Sequence, residues 1–191
     1  MKIRSVLLLA CFSLAGCSTV SQMSWSSLSP FSWFGSDLTL SDSGLNNITA
    51  STALDEATLD KALDGDYRLR KGMGIENGQM VSYYEALNGE KVELVIHGDA
   101  NNRVSRIDVM DKAVKTPKGT AVGTPFADLY SKAFGVCQVA EDDSGNVICR
   151  SQESSHISYV FSGEWMGSKS IIPPDDKLKT WTIGKMVWQS Q

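Results

Sequence analysis

The sequence predicts a mainly β, α+β domain: antiparallel, sandwich-like sheets of short hairpin-linked strands with two short helices. Three observations carry this. Short runs rich in Val, Ile, Tyr and Phe recur from about residue 67 onward and alternate with polar residues in places, as in Val92, Leu94 and Ile96. Strong turns separate them: Asn77-Gly78, Asn88-Gly89 and Gly98-Asp99-Ala100-Asn101-Asn102. Asn-Gly suits the type I′ hairpin, whose two central residues need positive φ. Only two stretches combine helical spacing with caps. The 191 residues, 42% hydrophobic and 21% charged, provide for one good core. Such a composition excludes collagen-like and coiled-coil chains. With 22 acidic residues against 18 basic ones, no nucleic-acid footprint is present.

The elements follow in order from about residue 47. Ser51-Thr52 before Asp55-Glu56 resembles a helix N-cap with acids in the first turn. Leu59, Ala62 and Leu63 form its apolar stripe, and Gly65 ends it. Strands are expected over 67–75, 80–87, 92–97 and 104–110, an antiparallel meander. Thr124-Pro125 then makes a second N-cap and N1 pair. Phe126, Leu129, Tyr130, Ala133 and Phe134 form the second helical stripe, closed by Gly135. Strands over 136–140, 147–150, 157–161 and 178–188 complete the domain. One helix and about four strands, twice, is what an internal duplication would leave. Any α+β domain rich in hairpins can also be cut into similar halves.

The N-terminus carries a different kind of signal. Met1-Lys2-Ile3-Arg4 is a positive n-region, and Val6 to Phe12 is an apolar run too short to span a bilayer. It ends in Leu14-Ala15-Gly16-Cys17, which resembles the bacterial lipobox. Small residues at Ala15 and Gly16 let a signal peptidase approach the backbone, and the Cys17 thiol takes a diacylglyceryl group. By that resemblance mature Cys17 carries three acyl chains, palmitate included, and an anchor of that size is effectively permanent. Ser18 stands where Asp marks inner-membrane retention, so the expected address is the outer membrane, with the domain facing the periplasm. The expected division is a signal peptide over 1–16, a Ser-rich tether over 17–46 and the β-rich domain over 47–191. Trp25, Leu28, Phe31, Trp33 and Phe34 interrupt the tether. They suit either a membrane interface or packing onto the chain's own domain. Loss of Lys2 and Arg4 with the signal peptide moves the formal charge from −4 to about −6. Membrane attachment therefore has to come from the lipid.

Of the four cysteines, Cys11 is excised and Cys17 acylated. Cys137 and Cys149 remain, flanking the turn-rich stretch Glu141 to Asn146, and read as a disulfide near the base of a hairpin in an oxidising compartment. A thiol nucleophile or metal pair is a poorer reading, with no CxxC spacing and two histidines.

No catalytic constellation is legible. His97 near Asp99, and His156 after Ser154-Ser155, could be assembled into a triad on paper, but no nucleophile elbow accompanies them. Asp142-Asp143-Ser144-Gly145-Asn146 lacks the spaced acids and terminal glutamate of a calcium loop. Pro173-Pro174-Asp175-Asp176 reads as a solvated acidic turn. The loop from Ser162 to Lys169 is more informative, because Trp165 and Met166 sit among glycines. They are the candidate partner contact, and they could equally cover an open end of the core.

Taken together, the chain resembles the small enterobacterial outer-membrane lipoproteins regulated by the envelope-stress sigma factor, a family labelled as a domain of unknown function. The resemblance rests on Leu14-Ala15-Gly16-Cys17, Asp111 to Val114, Gly123 to Gly135 through Cys137, His156 to Phe161, and Trp181 to Trp188. It implies a β-rich domain and no established catalytic residues; separately, no cofactor or metal is expected. The expectation is a non-enzymatic binding or interaction module with an envelope protein as partner. A cell-wall or lipid-directed enzyme, or a small-ligand carrier, is the alternative, and a pocket holding His97 or His156 beside buried acids would favour it.

Overall fold

A computed structural model describes residues 38–76, 78–142 and 144–190. The expected signal peptide, Cys17, Ser18 and the aromatic stretch over 25–34 lie outside them. The first elements are three two-residue strands, β1 (Leu40–Ser41), β2 (Gly44–Leu45) and β3 (Ile48–Thr49), in an antiparallel sheet of order β1-β2-β3. Gly44 holds φ +135° and faces the Ile48 carbonyl so closely that a Cβ there would lie 2.0 Å from its oxygen. Leu38, Leu40, Leu45 and Ile48 are all buried. The packed region thus reaches back into the stretch expected as tether. Serine-rich composition hid it, because a few leucines at the right spacing suffice to dock a short segment.

Helix α1 (Glu56–Ala62) has Asp55 as its N-cap, whose carboxylate accepts bonds from the Thr58 amide and hydroxyl at 2.9 and 2.8 Å. Ser51 and Thr52, expected in that role, instead fold the preceding turn, where Thr52 Oγ1 accepts the Thr49 amide. Asp64 and Gly65 then take positive φ and end the helix.

The remaining strands form one eight-stranded antiparallel sheet of order β4-β5-β6-β7-β11-β10-β9-β8. They are β4 (Arg68–Glu76), β5 (Gln79–Asn88), β6 (Lys91–Gly98), β7 (Val104–Val109), β8 (Cys137–Val139), β9 (Val147–Arg150), β10 (Ile157–Ser162) and β11 (Thr182–Gln189). Two four-stranded meanders, each preceded by a helix, meet at their fourth strands through Met186↔Val109 and Trp188↔Ile107. This is the arrangement a two-fold axis between two equivalent halves produces. The fold is the β-rich α+β class expected, with most strands in one wide sheet and the rest in a small one.

Two expected elements are shorter than their sequence patterns. Helix α2 (Phe126–Leu129) is a single turn with Pro125 as N-cap, and Thr124 Oγ1 accepts the Ala121 amide instead of capping it. Tyr130 returns to extended backbone, Ala133 donates its amide to Asp175, and Phe134 stands exposed. The expected strand over 178–188 starts late. Pro174 caps a third helix, α3 (Asp175–Leu178), its carbonyl accepting the Lys177 and Leu178 amides.

Alternation gives the large sheet two faces. Leu94, Ile96, Ile107, Val109, Met186, Trp188, Tyr159 and Phe161 point to one of them. The same buried cluster holds Leu40, Leu45 and Ile48 of the small sheet, Leu59 and Leu63 of α1, Phe126 and Leu178. The helices and small sheet therefore cover this face. Phe126, Tyr130 and Phe161 pack with ring centroids 5.2–5.9 Å apart.

Candidate functional site

The opposite face of the sheet is a trough. Register places Tyr83 beside His97, His97 beside Arg106, and Arg106 beside Gln189. In the next row Val95, Asp108 and Val187 are neighbours. A cavity of about 640 Å³ runs along this face, bounded by Gln79 and Val81 of β5 and by Gln138 and Asp142 at β8. Residues from nearly opposite edges line one volume because the sheet twists and curls over it. The size lies in the range of ligand sites, roughly 300–1,000 Å³.

Two cations of its lining, Arg106 and Lys185, share the carboxylate of Asp108 on the same sheet face. Arg106 donates from Nε and Nη2 to the two oxygens of Asp108 at 2.6 and 3.0 Å, and Lys185 Nζ adds a third bond at 2.9 Å. His97 Nε2 lies 4.0 Å from the same carboxylate. Burial pushes the Asp108 carboxyl up, but Arg106 and then Lys185 outweigh it and hold its pKa below the usual carboxylate range. Asp108 is therefore an anion at neutral pH and no proton donor.

Around this group stand Val81, Ile148, Val160 and Val187, with Gln138, Gln189 and Ser158 among them. Small apolar surfaces interleaved with amides and hydroxyls can hold a ligand in shape while leaving water at its edges. Acids form the rim. Asp99 spends its carboxylate on the Arg103 and Asn101 amides, and Asp142 spends its own on the Ser144 hydroxyl and amide, which lowers both carboxyls.

One wall depends on a cross-link. Strand β8 is a three-residue edge, and Cys137 faces Cys149 of β9 in register, joined by the disulfide expected at the base of this hairpin. Gln138, between Cys137 and Val139, points into the trough.

The sequence-derived candidates fall in different places. His97 is on the same sheet face as the trough, 5.9 Å from the Tyr83 ring, but does not line the cavity. His156 is elsewhere, its Nδ1 2.9 Å from the Gln189 carbonyl oxygen and its ring stacked on Trp188. Asp99 belongs to the β6–β7 turn, and Ser154 donates to Asp42 at 2.6 Å. Trp165 is half-buried, folds over Gly167 and donates from Nε1 to the Ser168 carbonyl, while Met166 is fully exposed. Neither borders the trough. Asp175, expected in a solvated turn, accepts the Ala133 amide. Among the described residues no group of three or more His, Cys, Asp or Glu could hold a metal ion, and no helix is long and apolar enough to cross a membrane.

Arg106, Asp108 and Lys185 were not singled out by the sequence. Their signal was faint: charged residues at alternate positions within two otherwise apolar strands, which only the pairing of β7 with β11 turns into a cluster.

Comparison with known proteins adds relatives. The model of a family described as "Protein of unknown function (DUF1131)" matches residues 22–190. The chain is 49% identical over 177 residues to the "Uncharacterized protein YfeY" of Escherichia coli strain K12, covering 92% of each chain. It is also similar to a solved structure, the crystal structure of the uncharacterized protein yfeY from Escherichia coli. There the TM-score is 0.74 at 45% identity, over 80% of this chain and 99% of that one.

Proposed function

The chain belongs to the DUF1131 family, and from that starting point we propose that it is a lipid-anchored module of the outer membrane whose periplasmic domain binds a partner or ligand without transforming it. One observation carries the binding role: the open trough, with apolar and amide side chains around two cations that share one carboxylate. Its groups favour holding over chemistry, because Asp108 is committed to Arg106 and Lys185. The anchor at Cys17, the outer-membrane address read from Ser18 and a role in envelope stress rest on the sequence features and family resemblance set out above.

A photoreactive residue in place of Val187, in the full acylated chain in living cells, tests the binding role. A discrete adduct from Val187 and none from the same residue in place of the exposed Lys118 supports it. The same bulk adducts from both positions sink it. Address is read separately: Ser18→Asp moves the chain to the inner-membrane fraction, and unchanged fractionation overturns the sorting claim.

An enzyme acting on cell-wall or lipid material is the second reading, and the 4.0 Å approach of His97 to Asp108 on the sheet face that bears the trough favours it. Turnover of isolated envelope material that His97→Gln abolishes would establish it over simple binding.

A further inference from the structure

The β4–β5 ladder runs from Arg68↔Leu87 to Glu76↔Gln79, whereas β5 pairs with β6 no further than Tyr83↔His97. Beyond that point, from Met73↔Ser82 outward, the two strands continue as a ribbon about 13 Å long with no third strand beside it among the described residues. A two-stranded ribbon is marginal alone in water. One face of this one turns toward the trough, with Gly74 opposite Val81. The other face carries Met73, Ile75 and Met80, exposed at 63, 77 and 70%. Ile75 and Met80 are register partners, and Met73 is two residues behind on the same side. On that face, at the root of the ribbon, Lys71 stands exposed with its ammonium 5.8 Å from the Tyr84 ring centre.

We propose that this ribbon is a lipid-binding wedge: its apolar face inserts into the bilayer that holds the anchor, with Lys71 at headgroup level. The inference rests on the Cys17 anchor reading. Three considerations select lipid as the occupant. A stable protein interface needs about 800 Å² per partner, more than three side chains on a narrow ribbon provide. Insertion beside an anchor needs much less, because the chain between Cys17 and Leu38 spans at most about 70 Å and keeps the domain at high effective concentration near the bilayer. Last, the order along the face, a cation at the root and methionine and isoleucine toward the tip, is that of an interfacial element whose charge stays at the headgroups.

The test uses the mature acylated chain reconstituted into phosphatidylcholine vesicles, with an environment-sensitive dye on the thiol of an Ile75→Cys variant. The native cysteines are occupied by lipid and disulfide, so the new thiol alone reacts. Emission should shift to the blue and be quenched by nitroxide lipids, while the same dye on a Met166→Cys variant reports water. Water-like emission at both positions, in protein that floats with the vesicles, overturns the inference and leaves the anchor standing. A blue shift that needs no vesicles and grows with protein concentration overturns it in favour of a second copy. A second arm keeps the mature acylated chain and adds Met73→Gln and Met80→Gln to the dye-labelled Ile75→Cys protein: the blue shift and the nitroxide quenching should be lost, with circular dichroism unchanged. An unchanged blue shift and quenching overturn the wedge. The mass of mature Cys17 decides the anchor independently.

Discussion

Asp108 is the residue that holds the two cations of the trough lining. Its neighbours Arg106 and Lys185 are each about a third exposed, so they recover water if the carboxylate is lost. Asp108→Ala is therefore expected to cost about 1.5–3 kcal/mol, the range for hydrogen bonds to charged groups, and less than a fully buried pair would. The pH dependence follows from the lowered carboxyl. Its contribution is complete above the ordinary aspartate value of about 3.9 and is lost as pH falls below that toward the folded value. Thermal melts between pH 7 and pH 3 should show the wild type losing more melting temperature than Asp108→Asn. Parallel losses in both would exclude this role. Nothing in the sequence marked Asp108 apart from the other acids. Arg106 and Asp108 share a strand face by alternation, but Lys185 joins them from 77 positions away.

Among the elements, β8 is the least self-sufficient. Three residues at a sheet edge are held by β9 alone and by the Cys137–Cys149 bridge. Replacing both cysteines with serine should cost about 2–3 kcal/mol on the chain-entropy account of a short loop, seen as a lower urea midpoint. Because Gln138 is part of the trough wall, capture at Val187 should fall with it. Full capture in the cysteine-free chain would show the wall to be independent of the bridge. The loop over 162–174 behaves differently. Trp165 packs against the core and bonds its own loop, whereas Met166 touches solvent throughout. Trp165→Ala should lower the melting temperature by several degrees, about 1–2 kcal/mol of burial for a half-covered ring, and Met166→Ala should leave it unchanged. An unshifted melt for Trp165→Ala would restore that residue as a partner contact. Element boundaries were readable to within a residue or two wherever an Asn-Gly turn met an alternating run, as at β5 and β6. They were least readable where proline reset the backbone, at α2 and α3.

For the whole molecule, the division of labour between the two sheet faces is the main result. One face binds the helices and small sheet into a core, and the other is left open as a trough. A Val187→Trp substitution places a large ring in the trough without touching the core, so it should abolish capture while the melting temperature stays within a few degrees. Retained capture would move the site elsewhere. The sequence by itself determined most strands of the large sheet, their hairpins and the cysteine pairing. Each of these is written in neighbouring residues, through turn chemistry, alternation and cysteine spacing. Only the tertiary structure decided that the two meanders meet at β7 and β11, that Leu38 to Ile48 belong to the core, and that Arg106, Asp108, Lys185 and His97 stand together. Those outcomes depend on pairing between distant strands and on sheet twist. Many pairings satisfy the same local pattern, and packing against the whole chain selects one.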